Sequence, residues 1–278
     1  MNVFHGENGT SKTHLLKLLY TALAVLDRGA SGDEAPVKTR MQRDIAEKLV
    51  GVFKPDKLGR LARRTRGHKQ ATIGIGLDAP TGTLEFSFST GSATEVAVAT
   101  VPPTWQSAPP VFVPARELLS FQPEFVGLFR ERNLPFDMTW LDTSLLLNAP
   151  LTRGPRVKRI KELLEPLEEA MGGWVETDQG GHFYLKNKSG QFEMQLVAEG
   201  LRKLAMIARL IANGGLSDKG ALFWDEPEAN MNPRLVKVLA PTLIHLANEG
   251  LQIFVATHSL FFIRSEEHTS ELQSHSDL

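Results

Sequence analysis

Residues 221–233 read Ala-Leu-Phe-Trp-Asp-Glu-Pro-Glu-Ala-Asn-Met-Asn-Pro. The apolar run leads into two adjacent carboxylates and a turn bounded by proline, which predicts a buried strand ending at Asp225 and Glu226. Of two such carboxylates, one can hold Mg²⁺ and the other can orient a water molecule. A plain strand followed by an acidic turn has the same pattern, so the other segments of the chain must decide between the two interpretations.

A glycine-rich loop lies near the N-terminus, between a predicted strand and a predicted helix. Its residues are Gly6-Glu7-Asn8-Gly9-Thr10-Ser11-Lys12-Thr13-His14. Such a loop wraps backbone N–H groups around a triphosphate, Lys12 adds a positive charge, and the Thr13 hydroxyl can reach Mg²⁺. Ser11 stands where the pattern G-x-x-x-x-G-K-[ST] has glycine, and a Cβ there can crowd the phosphate or the turn. We expect binding to survive, and an ordinary loop before a helix is the alternative.

A third segment combines a short glycine-containing stretch with an apolar helical pattern. Apolar residues recur at helical spacing from Leu201 to Ile211, which predicts a helix that begins near Gly200 and ends at Asn213. The N-terminus of this helix is a further site for an anion, because its first N–H groups have no partner within the helix.

A fourth segment, residues 251–259, reads Leu-Gln-Ile-Phe-Val-Ala-Thr-His-Ser and predicts a buried strand that ends at His258. A lone histidine at a strand end is more often structural than functional. The distance between Glu226 and His258 fits one helix, at about 234–248, and the return strand of a βαβ unit.

The order of these segments resembles that of the ATP-binding-cassette (ABC) branch of the P-loop NTPases. The resemblance is closest to the soluble RecF, SMC and OLD-like ATPases, often described as AAA-family ATP-binding proteins. It covers Met1 to about Ile263. It implies an α/β fold, a P-loop NTPase of the ABC-ATPase type with an antiparallel β subdomain, in one domain over residues 1–263. Residues 118–198 are then a helical lid insertion.

The resemblance also implies roles for individual residues, with ATP and Mg²⁺ as cofactors. Glu226 is the general base and His258 senses the γ-phosphate. Thr13 and Asp225 hold the metal. The residues implied to bind ATP are Gly6, Asn8, Gly9, Thr10, Ser11, Lys12, Thr13, His14 and Gly200.

The stretch around Gly200 departs from the transporter signature Leu-Ser-Gly-Gly-Gln. Ala198 replaces the serine that in this family donates to the γ-phosphate held by the opposite subunit, so that contact cannot form. Our hypothesis is that Arg202 or Lys203 supplies positive charge there instead. Exposed basic residues on a helix are the alternative. The resemblance implies a homodimer that sandwiches two nucleotides head to tail.

The composition of the chain excludes several kinds of site and of protein. The chain has 278 residues, 42% of them hydrophobic, a formal charge of −1 and no cysteine. Such a chain can bury a large core, and the missing cysteines exclude disulfides, thiolate metal sites and cysteine catalysis. No apolar run is long enough to span a bilayer and no signal peptide is visible, so we expect a cytoplasmic protein without a membrane partner.

The ends of the chain depart from the family pattern. Residues 264–278 are polar, lack core periodicity and resemble one reading frame of a sequencing-library adapter, so we interpret them as a disordered, artefactual tail. The phosphate-loop strand begins at Met1, where the family has a preceding hairpin. We therefore expect an incomplete gene.

The residues between the motifs predict further elements. Helices are expected at 13–26 and 39–53, antiparallel strands at 71–77, 83–90 and 95–101, mainly helix over 118–170, and short strands over 174–196. Glu117 follows a predicted core strand and is a candidate metal sensor, or simply a helix cap.

One basic cluster precedes the antiparallel strands. It comprises Arg60, Arg63, Arg64, Arg66, His68 and Lys69. The cluster could contact a DNA backbone, although no aromatic residues interleave with it to stack on bases, and a solvated loop is the alternative.

These observations predict a Mg-ATP-dependent ATPase whose hydrolysis drives a dimerisation-linked conformational switch in DNA repair or phage defence. DNA and an effector protein or domain are further candidate partners. The alternatives are the ATPase half of an OLD-like nuclease and a nucleotide-binding switch that does not hydrolyse ATP.

Overall fold

The computed structural model describes residues 1–7, 9–32, 35–63, 69–78, 80–154, 157–216 and 220–259. The chain divides into two compact units. The first unit combines Met1–Leu16 with Val111–Leu278, and the second is Lys17–Pro110.

The helices and strands follow one another along the chain with short connections. They are β1 (Asn2–His5), α1 (Lys12–Ala30), α2 (Lys38–Phe53), β2 (Gln70–Asp78), β3 (Thr81–Ser89), β4 (Ala97–Thr100), β5 (Pro110–Val113), α3 (Glu124–Glu131), α4 (Met138–Leu147), α5 (Val157–Met171), β6 (Trp174–Thr177), β7 (Phe183–Asn187), β8 (Gly190–Glu193), α6 (Glu199–Ala212), β9 (Ala221–Asp225), α7 (Pro233–Asn248) and β10 (Gln252–Thr257). Among the described residues, no helix is both long enough and apolar enough to cross a membrane.

A four-stranded sheet in the order β1-β10-β9-β5 lies at the centre of the first unit. Strand β10 pairs in parallel with β1 on one side and with β9 on the other. Strand β9 is fully buried up to its last residue, which is typical of strands covered on both faces. A ladder of stacked rings crosses these strands, since Phe254 on β10 lies between Phe4 and Phe223.

Helices α5, α6 and α7 share the core of the first unit with this sheet. Helix α7 starts where its sequence requires, because the Asn232 side chain accepts a hydrogen bond from the Leu235 N–H and Pro233 occupies the first turn. Helix α6 is buried along most of its length, from Lys203 to Ile211. Residues 174–193 add a small antiparallel sheet in the order β6-β7-β8.

A buried arginine fastens α6 to the end of α4. The Arg209 guanidinium donates from Nε to the carbonyl of Leu147 at 2.9 Å and from Nη2 to the carbonyl of Ala149 at 2.8 Å. Asn213 donates to the carbonyl of Leu146 at 2.7 Å. The last carbonyls of a helix have no intrahelical partner, so Arg209 supplies donors to Leu147 at the end of α4 and to Ala149 in the segment that follows it.

The second unit has a separate core. Strands β2, β3 and β4 form an antiparallel sheet in that order, and buried residues of α1 and α2 share its core. Along β3 the buried residues Leu84, Phe86 and Phe88 alternate with less buried ones, which is the pattern of a sheet with one covered face.

The predicted elements are confirmed with shifts of a few residues at their ends. The expected helix at 13–26 continues to Ala30, the strand expected at 83–90 spans Thr81–Ser89, and 118–170 is mainly helical. The domain bounds 1–263 and 118–198 stay predictions, and the polar tail 264–278 lies outside the described residues.

Replacing Arg209 by methionine should destabilise the first unit by about 2–4 kcal/mol, because the carbonyls of Leu147 and Ala149 lose their buried donor while the aliphatic stem is kept. Urea unfolding measures this change. Arg132 is exposed, so Arg132→Met is a matched control expected to stay within about 0.5 kcal/mol. Equal stabilities of the two variants would contradict the capping role.

Candidate nucleotide site

The site forms where three parallel strands end together. In the register of the sheet, His5 at the end of β1 faces Thr257 on β10, and Ala256 on β10 faces Asp225 at the end of β9. The three loops that follow these strands therefore leave the sheet at the same edge. In open α/β sheets this edge, beyond the carboxyl ends of the strands, is where ligands bind.

The phosphate loop is closed by its own lysine. Lys12 Nζ donates to the carbonyl oxygens of Gly6 at 2.7 Å and Glu7 at 2.9 Å. Thr10 Oγ1 donates to the Glu7 carbonyl at 2.8 Å. The ammonium thus lies inside the loop, next to the first turn of α1.

Most of the other loop residues predicted to contact nucleotide are exposed to solvent. Gly9, Thr10 and His14 are exposed around the start of α1. The first turn of α1 contains no acidic residue, so this helix N-terminus remains suited to an anion. Asn8 lies outside the described residues.

Ser11 adopts the backbone that the missing glycine would have supplied. Its φ is 66°, in the left-handed region, and its carbonyl accepts the first α1 hydrogen bond from the Leu15 N–H at 3.0 Å. The serine is exposed. The turn therefore forms with a Cβ present, at a backbone cost of about 1–2 kcal/mol for a non-glycine residue in this region.

The two predicted metal ligands, Thr13 and Asp225, are far apart in the sequence but are hydrogen-bonded to each other. Thr13 Oγ1 donates to the Asp225 carboxylate, at 3.1 Å to Oδ1 and 3.0 Å to Oδ2. A hydroxyl and a carboxylate held together beside a phosphate loop are the oxygen ligands that Mg²⁺ takes alongside phosphate oxygens and water. The residues present therefore fit this metal.

The predicted base and sensor are also adjacent. The Glu226 carboxylate oxygen Oε1 lies 3.5 Å from His258 Nδ1, an ion pair when the imidazole is protonated. Both side chains are partly exposed, at 36% for Glu226 and 47% for His258, so a water molecule or phosphate can reach them. Glu226 directly follows Asp225, which puts the acid pair, the histidine and Thr13 in one group.

Gly200 packs against the turn that follows the acid pair. A Cβ on this residue would lie 2.9 Å from the Asn230 carbonyl oxygen and 3.0 Å from Leu235 Cδ1. The glycine thus allows the start of α6 to approach the turn at residues 226–232, which accounts for its presence within one chain. Its predicted contact with a nucleotide stays a prediction.

The structure corrects the hypothesis that Arg202 or Lys203 supplies charge to an opposite subunit. Lys203 is fully buried, and its Nζ donates to the carbonyls of Ala229 at 2.6 Å and Glu226 at 3.4 Å. Arg202 Nε lies 3.2 Å from Glu117 Oε1, with both side chains largely buried. Each cation is therefore engaged inside its own chain.

Glu117 has local partners in the structure, and its predicted role as a metal sensor stays a prediction. Its carboxylate also accepts hydrogen bonds from the backbone N–H and the hydroxyl of Ser120. These contacts lie at the start of the short 3-10 helix Leu119–Phe121, whose N-cap is Leu118.

Burial lowers the pKa of Lys203 to about 8. Four carboxylates oppose this effect, Glu199, Glu228, Glu226 and Asp225, and they do not cancel it. Desolvation penalises an ammonium more than these neighbours restore, which is the expected balance for a fully enclosed lysine.

Sequence reasoning missed a chain of contacts behind the acid pair. Thr257 Oγ1 donates to Glu228 Oε1, and the Ser259 N–H donates to Thr257 Oγ1 at 3.0 Å. Helical spacing could have revealed the burial of Lys203, since it precedes Ile207 by one turn on the buried stripe of α6. Nothing in the sequence marks the link between Glu228 and Thr257.

Comparison with known families identifies the group. Residues 106–264, more than half of the chain, match the family described as "AAA domain, putative AbiEii toxin, Type IV TA system". The chain belongs to this family. The match contains the acid pair and His258 but not the phosphate loop. A search of curated proteins gave no significant match.

Solved structures show the same fold. A Smc head bound to the C-winged helix domain of ScpA is 13% identical, with a TM-score of 0.52 over 95% of this chain and 83% of the other. A Smc head domain with an extended coiled coil, bound to the C-terminal domain of ScpA derived from Pyrococcus furiosus, is 10% identical, with a TM-score of 0.50 over 95% and 85%. The chain therefore has the α/β fold of an ABC-type P-loop ATPase, as predicted.

Substitutions at Ser11 should separate backbone strain from side-chain chemistry. Ser11→Gly should bind Mg-ATP at least as tightly as the natural chain, because glycine adopts a positive φ without cost. Ser11→Val should bind about tenfold more weakly or worse, because a β-branched residue is an outlier there. Calorimetric titration measures both affinities, and tight binding by the valine variant would refute the strain interpretation.

The free energy of unfolding should report the titration of Lys203. The folded pKa lies below the unfolded value of 10.5, so the folded state binds fewer protons between about pH 8 and that value, and this contribution to stability rises with pH. Relative to Lys203→Met, the natural chain should gain about 2 kcal/mol between about pH 7.5 and about pH 9.5.

Urea unfolding at the two pH values tests this difference. Lys237→Met, the same change at an exposed lysine, is the matched control. A Lys203 difference that is flat, or falls as pH rises, would contradict the assignment.

Proposed function

We propose that this chain binds Mg-ATP and hydrolyses its β–γ phosphoanhydride, and that the cycle drives dimerisation and a conformational switch. The observation that carries the proposal is the hydrogen bond between Thr13 Oγ1 and the Asp225 carboxylate, with Glu226 and His258 alongside. The ATP-contacting residues are those predicted above from the phosphate loop and Gly200.

Each group has a distinct task in this chemistry. Thr13 and Asp225 hold Mg²⁺, which when bound supplies positive charge to the phosphate oxygens. Lys12 leaves the carbonyls of Gly6 and Glu7 and donates to the phosphates instead. Glu226 orients the attacking water and accepts its proton, and His258 donates toward the γ-phosphate.

The dimer is proposed from the exposed surface at the start of α6. Leu196 is 76% exposed and Ala198 is exposed. Apolar side chains this open next to a helix N-terminus suit a contact with a second copy. In a head-to-tail pair that helix end faces the nucleotide of the other copy, with the helix dipole and Gly200 in place of a serine hydroxyl.

The proposed biological setting is supported by the family rather than by the site. Its description names a toxin of a type IV toxin–antitoxin system. That description favours phage defence over DNA repair as the process served, with an effector protein as partner. Of the basic residues that DNA binding would use, Arg64, Arg66 and His68 lie outside the described residues.

A second candidate function is a nucleotide-binding switch without hydrolysis. Ala198 favours it, because the residue before α6 carries no side chain that can donate to a phosphate. The two functions differ in turnover and share ATP binding.

Substitution of Glu226 by glutamine tests the proposal. The amide keeps the shape but cannot accept the proton of water, so turnover should fall by about 10²–10⁴-fold while ATP binding is retained. Phosphate release and light scattering measure turnover and dimer mass. The variant should accumulate as an ATP-bound dimer.

Glu131 is exposed on α3, so Glu131→Gln is a matched control with natural turnover expected. Full turnover by Glu226→Gln would remove Glu226 as the base. ATP binding and dimerisation without turnover in the natural chain would support the non-hydrolytic switch instead.

A further inference from the structure

The backbone of Glu226 is held in a left-handed conformation. Its φ is 49°. The nearby Asn230 also has a positive φ, but it is exposed, and asparagine is a residue type that tolerates this conformation. A glutamate in this region costs about 1–3 kcal/mol, and such strain persists only where neighbouring contacts over-determine the backbone. The contacts around Glu226 therefore decide where its carboxylate points.

Three hydrogen bonds hold the backbone of Glu226. Its N–H donates to the Ala256 carbonyl on β10 at 2.8 Å. Its carbonyl accepts from the Ala229 N–H at 3.1 Å and from Lys203 Nζ at 3.4 Å. The bonds to Ala256 and Ala229 are backbone contacts of a strand end and a turn. Of these three bonds, the one from Lys203 is made by a side chain.

Lys203 also fixes the far end of the same turn. Its shorter hydrogen bond, 2.6 Å, goes to the Ala229 carbonyl. One ammonium thus bridges the two carbonyls at either end of residues 226–229, and the side chain is 0% exposed. Without this ammonium the Ala229 carbonyl loses its side-chain donor, and the Glu226 carbonyl keeps only the Ala229 N–H among the donors named above.

We propose that Lys203 is a positioning residue that holds the turn at residues 226–229 and so aims the Glu226 carboxylate at the attacking water. The role rests on the proposed function, since it requires Glu226 to act as the base. Lys203 itself is enclosed behind the turn and touches carbonyl oxygens rather than nucleotide.

The arrangement also links the start of α6 to the acid pair. Gly200 packs on the turn from one side, and Lys203, one turn further along α6, bonds to it. A shift of α6 along its axis would therefore move the Glu226 carbonyl. Small displacements of a base from its productive position cost up to about 10²-fold in rate.

Lys203→Met tests the proposal, because it keeps the length of the side chain and removes the donor. We expect kcat to fall about 10–100-fold, with the ATP dissociation constant and KM within about threefold of the natural values. Lys203→Gln, whose amide can serve one of the two carbonyls, should recover part of kcat. It also supplies a second variant should the methionine chain fail to fold.

A double-mutant cycle with Glu226→Gln separates positioning from general stability. If Lys203 acts through Glu226, adding Lys203→Met to Glu226→Gln should lower the residual turnover less than about twofold. Lys237→Met, the same change at an exposed lysine, should leave every constant unchanged.

Each possible result either supports or overturns the positioning role. Full kcat in both Lys203 variants, an equal fold-loss with and without Glu226, or a loss expressed only in KM overturns the positioning role and leaves the proposed function standing. A natural chain without turnover overturns the proposed function and this role with it. A kcat loss that disappears in the Glu226→Gln background supports both.

Discussion

The hydrogen bond from the Thr13 hydroxyl to the Asp225 carboxylate joins residues 212 positions apart and depends on the whole parallel sheet. Strands β1, β10 and β9 are in register, so their carboxyl ends meet at one edge. The glycine-rich loop, the acid pair and the Thr-His-Ser segment each follow one of these ends. A slip of a strand by one residue would reverse its side chains and separate the hydroxyl from the carboxylate.

Several carboxylates are gathered at this edge of the sheet, and two lysines lie near them. Asp225, Glu226 and Glu228 lie within four consecutive residues. Lys203 is fully enclosed beside these carboxylates, and Lys12 lies in the glycine-rich loop. The neighbouring carboxylates do not fully offset the cost of burying the Lys203 ammonium, so burying this charge lowers the free energy of unfolding. The two hydrogen bonds that the ammonium donates to carbonyl oxygens give a reason for its presence.

The sequence was sufficient for features that depend on short range. Period, capping residues and glycine-rich turns located the helices and strands. For the long-range contacts of Thr13 with Asp225 and of Glu226 with His258, the sequence supplied only the order of motifs, and the roles of these residues stay predictions. It failed where a side chain's partner lies on another element. Lys203 was expected to be available at the surface, yet its donors serve carbonyls of a turn distant in sequence, and no periodic pattern specifies which carbonyls those are.

Backbone strain is concentrated where the chemistry is proposed. Among the residues that the structure describes, the non-glycine residues with left-handed φ are Ser11, Lys54, Glu226 and Asn230. Lys54 simply ends α2, while the other three lie in the loops after β1 and β9. A glycine at Ser11 or Glu226 would remove the strain but, at Glu226, also the carboxylate. The chain therefore keeps strained residues in the loops after these strands, and the hydrogen bonds with Ala256, Ala229 and Lys203 stabilise that conformation at Glu226.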